Sequence, residues 1–174
     1  VVDSAGLKAY GEGECTVRKR GWTTRRTWCE LHLGINADTQ EIPTHELTTA
    51  CADDARQLKD LLGPIDTVVA CCYGDAAYDR WHVHWLLAYP PQGPSAPIEA
   101  IIPPCDYAQI KKSKRRYRHI EARNQRVQQV RKMGRKKWKQ QSGYHRRSLA
   151  ETALHVSNAS SVPSYKRGNG RGIK

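Results

Sequence analysis

The chain has 174 residues, enough for one domain with a sizeable core. No stretch reads as a membrane span or a secretory leader, and none of the six cysteines forms a C-x-x-C pair, so they read as reduced, cytosolic, structural thiols without a zinc site. The net charge of +12 and the pI of about 9.6 point instead to a polyanionic partner, usually nucleic acid.

Val1-Val2-Asp3-Ser4 reads as a strand already under way at residue 1. Gly6 to Gly13 supply a turn, and Thr16 to Arg26, basic with Trp22 interleaved, is an exposed connection. Trp28 to Ile35 alternates, with Trp28, Glu30 and His32 on one side and Cys29, Leu31 and Leu33 on the other, which predicts a strand. Asn36 to Gln40 is a turn, and Glu41 to Thr48 the partner strand of a hairpin. Thr49 to Leu62 has helical spacing, with Ala55, Leu58, Leu61 and Leu62 on one stripe and Gly63-Pro64 as the stop.

Thr67 to Cys72 is a continuous apolar run, expected as a strand buried on both faces. A helix is expected from Asp79 to Ala88, with Asp79 as its N-cap. Read instead as a strand, Trp81-His82-Val83-His84 would set two histidines on one face; no third ligand is near, so this is not taken as a metal site. Pro90 to Pro97, with four prolines, is a loop, and Glu99 to Ile102 a further strand closed by Pro103-Pro104. Ile120 to Gln141 is a basic helix weakened by Gly134, with a thin stripe of Val127, Val130 and Trp138. The Ser-, Gly- and Asn-rich tail from Ser157 is expected to be unstructured. A hairpin followed by β-α-β alternation predicts a mixed α/β sheet.

Charge is uneven along the chain. From Lys111 to Arg147 there are sixteen Lys or Arg against one acid, Glu121. This half is expected to face phosphate.

Three carboxylates occupy informative places. Asp3 lies in the first strand, Asp75 just past the end of the apolar run, and Glu151 on a late helix. Ligands gather outside strand ends in α/β sheets, so Asp3 and Asp75 can converge there if the first and fourth strands are neighbours. Three carboxylates without a balancing base repel unless a cation neutralises them, and Mg²⁺ suits such a set. Two such ions can flank a phosphodiester, one activating the attacking oxygen and the other stabilising the leaving one. Each aspartate also has a plain explanation: Asp75 as a turn residue and Asp3 as a turn cap through Ser4. Tyr144, Arg147 and Glu151 stand at i, i+3 and i+7, on one face of a helix. There Arg147 can grip a phosphate, Tyr144 can stack on a base, and Glu151 can hold a cation; Arg147 and Glu151 can also simply pair at i, i+4.

These residues resemble the catalytic core of bacterial DDE insertion-sequence transposases, in the branch with a Tyr-Arg-Glu-Lys signature. The matching stretches include Val1 to Lys8, Gly11 to Glu14, Lys19 to Trp22, Arg25 to Trp28, Glu46 to Thr48, Gly74 to Asp79, Ile101 to Pro104, and Gly134 to Ala153. They run in the family's order across residues 1–154, leaving 155–174 as a divergent tail. The resemblance implies an RNase H-like fold. It implies metal-dependent cleavage of phosphodiesters at transposon ends, then transfer of the freed 3′-hydroxyl into target DNA. It places Asp3, Asp75 and Glu151 as catalytic, metal-binding residues for Mg²⁺ or Mn²⁺, with two ions. Tyr144 and Arg147 are the Tyr and Arg of the signature, and Arg135, Lys136, Lys137, Lys139 and Arg146 are expected to contact DNA beside them. An oligomer when full-length and a cytoplasmic, nucleoid-associated location are also implied.

The chain departs from the pattern in places. The signature lysine would fall at Asn158, and Ala5 stands where threonine is usual. Trp81 to Pro97 does not look like the family's helix, and the upstream DNA-recognition region and the C-terminal part are absent. His155 to Pro163 can be back-translated so that a one-base shift reads Met-Phe-Arg-Met-Gln-Val-Leu-Phe-Arg, similar to the family's continuation after Glu151. The expectation is a frameshifted transposase remnant, which the nucleotide sequence tests. A basic DNA-binding remnant without catalysis, and a metal-dependent nuclease without strand transfer, are the alternatives.

Overall fold

A computed structural model of the chain describes residues 1–8, 28–49, 52–91 and 96–152. The basic connection around Trp22, most of the expected Gly6–Gly13 turn and the tail from Ser157 lie outside these residues.

Strands β1 (Val2–Lys8), β2 (Trp28–Gly34) and β3 (Thr44–Thr49) form an antiparallel sheet in that order. Gly6 therefore continues the first strand, where a turn was expected. The β2–β3 hairpin closes as its sequence predicts: Asn36 Oδ1 accepts the backbone N–H groups of Asp38 at 2.9 Å and Thr39 at 3.3 Å. The partner strand starts three residues later than expected, at Thr44, because Pro43 brings no donor to the ladder.

Helix α1 (Asp54–Leu62) buries the stripe read from its spacing, Ala55, Leu58, Leu61 and Leu62. Its N-cap is Asp53, whose Oδ1 accepts from Ala55 N–H at 3.1 Å. A second, parallel ladder joins β4 (Cys71–Tyr73) to β5 (Glu99–Ile101), with Cys72 opposite Ala100. The expected strand Thr67–Cys72 is thus reduced to its end, and Val68 stands 85% exposed. The partner limits it: Pro97 before β5 and Pro103-Pro104 after it confine the edge that β4 can pair with.

The crossover from β4 to β5 runs through a 3-10 turn (Ala76–Tyr78) and helix α2 (Trp81–Ala88). Because this segment is helical, His82 and His84 lie about 200° apart rather than on one face. His82 Nε2 meets the Ala55 carbonyl at 3.1 Å and ties α2 to α1, while His84 is buried on the other side.

Where one basic helix was expected, there are two: α3 (Arg118–Met133) and α4 (Arg135–Gln141). Gly134 between them has φ +83° and ψ 151°, a region essentially reserved for glycine. A Cβ there would meet nothing within 4 Å, so the restriction comes from the backbone alone. Gly134→Ala is expected to cost roughly 1–3 kcal/mol, read as a lower thermal midpoint with an otherwise normal cooperative melt.

The core has two parts. One joins α1 and α2 to Val2, Cys72, Ala100 and Ile102; the other joins Trp138 and Ala150 to Val1, Leu33, Ile35, Tyr73 and Ile101. Helices therefore cover both faces of the strands, and the architecture is mixed α/β. No described helix is long and apolar enough to cross a membrane. Among the described residues Cys29, Cys71, Cys72 and Cys105 are free thiols; burial pushes the Cys72 thiol up to about 11, which suits an inert structural role.

Candidate active site

Asp3 is the second residue of β1. Alternation along the strand turns it away from α1, toward the face where Val1 and Leu33 pack under Trp138. It is 7% exposed. Asp75 lies two residues past the end of β4 and caps the 3-10 turn, its Oδ1 accepting from Ala77 N–H at 2.8 Å. The expected turn role of Asp75 is thus real. Gly74 before it lies under the Tyr78 ring, where a Cβ would approach ring carbon to 3.1 Å. Packing of the Tyr78 ring thus favours glycine at 74, and the turn favours aspartate at 75.

Glu151 lies in the helical stretch 148–152, which continues from a second 3-10 turn (Tyr144–Arg147). In a 3-10 turn residues three apart eclipse, so Tyr144 and Arg147 still share a face. Arg147 closes the site. Its Nη2 donates to both oxygens of Asp3, at 3.1 and 3.0 Å, and its Nη1 to Glu151 Oε1 at 2.7 Å. One guanidinium bridges the first and third of the three predicted carboxylates, reaching Asp3 from 144 positions away in sequence. Burial pushes the Asp3 carboxyl above its ordinary value; Arg147 pulls it down without fully offsetting this, and the charge of Asp75 adds to the rise. Tyr144 is likewise raised, first by burial, with Asp75, Asp3 and Glu151 all contributing. All three carboxylates thus act on one electrostatic neighbourhood.

The other predicted DNA contacts are placed less uniformly. Arg146 pairs with Asp38 at 2.5 Å and Arg135 with Asp106 at 2.6 Å. Lys139 Nζ sits 4.7 Å over the Tyr144 ring, and that ring packs against Trp138. Lys136 and Lys137 are exposed on α4.

For a divalent cation the donor set is chemically right: hard carboxylate oxygens, two of them already gathered about a positive charge. They stand further apart than a closed chelate, however. Among the described residues, the group whose ligating atoms all lie within 4.8 Å of one another is a different one, Glu30, His32 and Asp54.

A second charged cluster went unread in the sequence. Asp79 is not the N-cap of α2; Arg80 holds that position without a side-chain cap. The Asp79 carboxylate is instead buried beneath α3. Its oxygens accept from Arg123 Nε and Nη2 at 2.8 Å each, from His84 Nε2 at 2.8 Å, and from Cys105 N–H at 2.9 Å. Arg123 Nη1 also donates to the Gln109 carbonyl at 3.1 Å, and its guanidinium stacks 4.4 Å from the Trp81 ring. One signal was available: Arg123 lies on the same helical stripe as Ile120 and Val127, and an arginine on a buried stripe needs a buried acid.

Asp79 can only accept, so His84 Nε2 carries the proton and Nδ1 is left as acceptor, 3.4 Å from Arg126 Nη1. Burial lowers the His84 pKa, Asp79 opposes this, and Arg126 and Arg123 add to the lowering. The folded pKa lies below the unfolded one, so the unfolded chain binds more protons as pH falls. The stabilisation is complete above about pH 6.5 and is lost as pH drops through the folded value. The urea midpoint is expected to fall between pH 7.5 and 5.5 in the native chain and to change less in His84→Gln.

The structure therefore defines a mixed α/β domain with an arginine-closed acidic cluster at its strand ends. The chain belongs to the transposase DDE domain family, whose model matches residues 1–161. This bears out the reading as an insertion-sequence DDE transposase. No solved structure matches the chain.

Proposed function

We propose that this domain is the RNase H-like catalytic core of an insertion-sequence transposase in the Tyr-Arg-Glu-Lys branch. It cleaves phosphodiesters at transposon ends and joins the freed 3′-hydroxyl to target DNA. Asp3, Asp75 and Glu151 are its catalytic carboxylates, and Arg147 and Tyr144 its signature contacts to DNA. The observation that carries this is the Arg147 bridge from Asp3 to Glu151, which joins residues from opposite ends of the domain in the way a shared site demands. An RNase H-like sheet would join the two ladders at β1 and β4. In support, Val1 packs in one cluster with Tyr73 and Val2 in the other with Cys72.

Asp3, Asp75 and Glu151 would hold Mg²⁺ or Mn²⁺, which supplies a Lewis acid to both oxygens of the phosphodiester being exchanged. The chain's own residues do the rest. Arg147 keeps Asp3 and Glu151 in register while DNA is away. A scissile phosphate, offering the same planar pair of oxygens, competes for its fork and frees the carboxylates. The packing of Tyr144 on Trp138 holds the turn that aims Arg147. Exposed Lys136 and Lys137 attract the backbone of the duplex. The partners are transposon-end and target DNA, met in the cytoplasm at the nucleoid, by an oligomer when the chain is full-length.

The spread of the three carboxylates favours one second reading, a DNA-binding remnant that no longer cuts. Supercoiled plasmid with millimolar Mn²⁺ separates the two. The full chain is expected to nick it and Glu151→Gln to bind without nicking. Binding without nicking by both proteins would support the remnant.

A further inference from the structure

We propose that Glu30, His32 and Asp54 form a binding site for a divalent transition-metal ion of the zinc type, separate from the DNA-cutting site.

The carrying observation is an unpaired nitrogen. His32 is 0% exposed, and its Nδ1 has no hydrogen-bond partner. A satisfied core histidine engages both ring nitrogens; this one engages only Nε2, at 2.8 Å from Thr48 Oγ1. In the tautomer whose Nε2–H donates to the threonine, Nδ1 presents its lone pair. Metal-bound histidines are held in the same way, the far nitrogen fixed by an outer partner that sets the tautomer. Nδ1 faces Asp54 Oδ1 at 3.6 Å, beyond a hydrogen bond. That spacing matches ligands around a tetrahedral ion, which stand roughly 3.3–3.5 Å apart for bonds of about 2.0–2.1 Å. Glu30, two residues before His32 on β2, shares its face and completes a group whose ligating atoms all lie within 4.8 Å.

Asp54 is available for this role. The N-cap of α1 is its neighbour Asp53, so the Asp54 carboxylate has no capping duty. One imidazole and two carboxylates neutralise a divalent ion. The imidazole selects zinc-like metals over Mg²⁺, and a fourth position stays open for water.

The site lies on the other side of the sheet from the DDE carboxylates. His32 pairs with Ser4 and Glu30 with Gly6, whereas Asp3 pairs with Leu33. Residues directly opposite share a face, so Asp3 points away from His32. An ion there would pin the start of α1 to the middle of β2.

The test is thermal melting of the full chain with and without Zn²⁺, beside Asp54→Asn, Glu30→Gln and Glu151→Gln. Asp54 and Glu30 are only partly buried, so these variants keep a fold even where a change at His32 would not. Zn²⁺ is expected to raise the midpoint of the native chain and of Glu151→Gln by roughly 5–10 °C at about a hundredfold excess over Kd. It is expected to leave Asp54→Asn and Glu30→Gln unmoved. No rise in the native chain, or an equal rise in those two variants, overturns the proposal. Loss of the rise in Glu151→Gln alone would assign the ion to the DNA-cutting site instead.

Discussion

Asp79→Ala is expected to lower the unfolding free energy by about 3–5 kcal/mol. The reason is what remains behind. Arg123 is 5% exposed and would keep its charge with no counter-ion, and His84 Nε2–H and Cys105 N–H would each lose their acceptor. Burial by itself pushes the Asp79 carboxyl up. The hydrogen bonds from His84, Arg123 and Cys105 outweigh that and hold it far below the usual carboxylate range. A domain with a typical stability of roughly 5–15 kcal/mol would be left marginal. The same network fastens α3 to α2 and to the 103–111 segment, so the loss would loosen the basic half as a unit. Urea titration should show a much lower midpoint in Asp79→Ala and a smaller loss in Asp79→Asn, which keeps one acceptor oxygen. A midpoint unchanged in Asp79→Ala would mean that the ion pair contributes nothing net.

Asp3→Asn should do the opposite. DNA nicking is expected to fall more than about 100-fold, because even outer partners of metal ligands are worth about 10–100-fold. The thermal midpoint is expected to stay where it is or rise. Asp3 is as buried as Asp79, yet its charge is disfavoured in the fold: burial outweighs what Arg147 returns. Asparagine keeps the shape and an acceptor for Arg147 while removing that charge. A charge held at the expense of stability fits the catalytic role proposed for this position. A midpoint that dropped as far as in Asp79→Ala would show that lost nicking reflected unfolding, and the catalytic role of Asp3 would have no support from the variant.

The two aspartates also show where the sequence was legible. Asp3, Asp75 and Glu151 stood out because each sat at a place with positional meaning: a strand, the stretch just past one, and a late helix. The stripe Ala55, Leu58, Leu61 and Leu62 and the Asn36 turn were readable for the same reason: each is a local pattern with a local cause, whereas Gly134, read only as weakening one helix, divides two. Asp79 was misread as a helix cap because its partners lie 5, 26 and 44 residues away. The run Thr67–Cys72 was misread because its length as a strand depends on an edge whose prolines lie elsewhere in the chain.

The sequence alone determined the order and type of most elements, the basic second half, and the transposase family that the three carboxylates and the Gly134–Ala153 block indicated. Only the tertiary structure decided which charges face outward. Arg147, Arg146, Arg135 and Arg123 all belong to the basic half, and each is paired with an acid from another part of the chain. The same holds for His32, whose Nδ1 meets the Asp54 carboxylate only because α1 packs against β2. Periodicity reports which face of its own element a residue occupies. The partner across that face depends on how elements pack, and charge–charge energies fall off too steeply with distance for residue type alone to settle them.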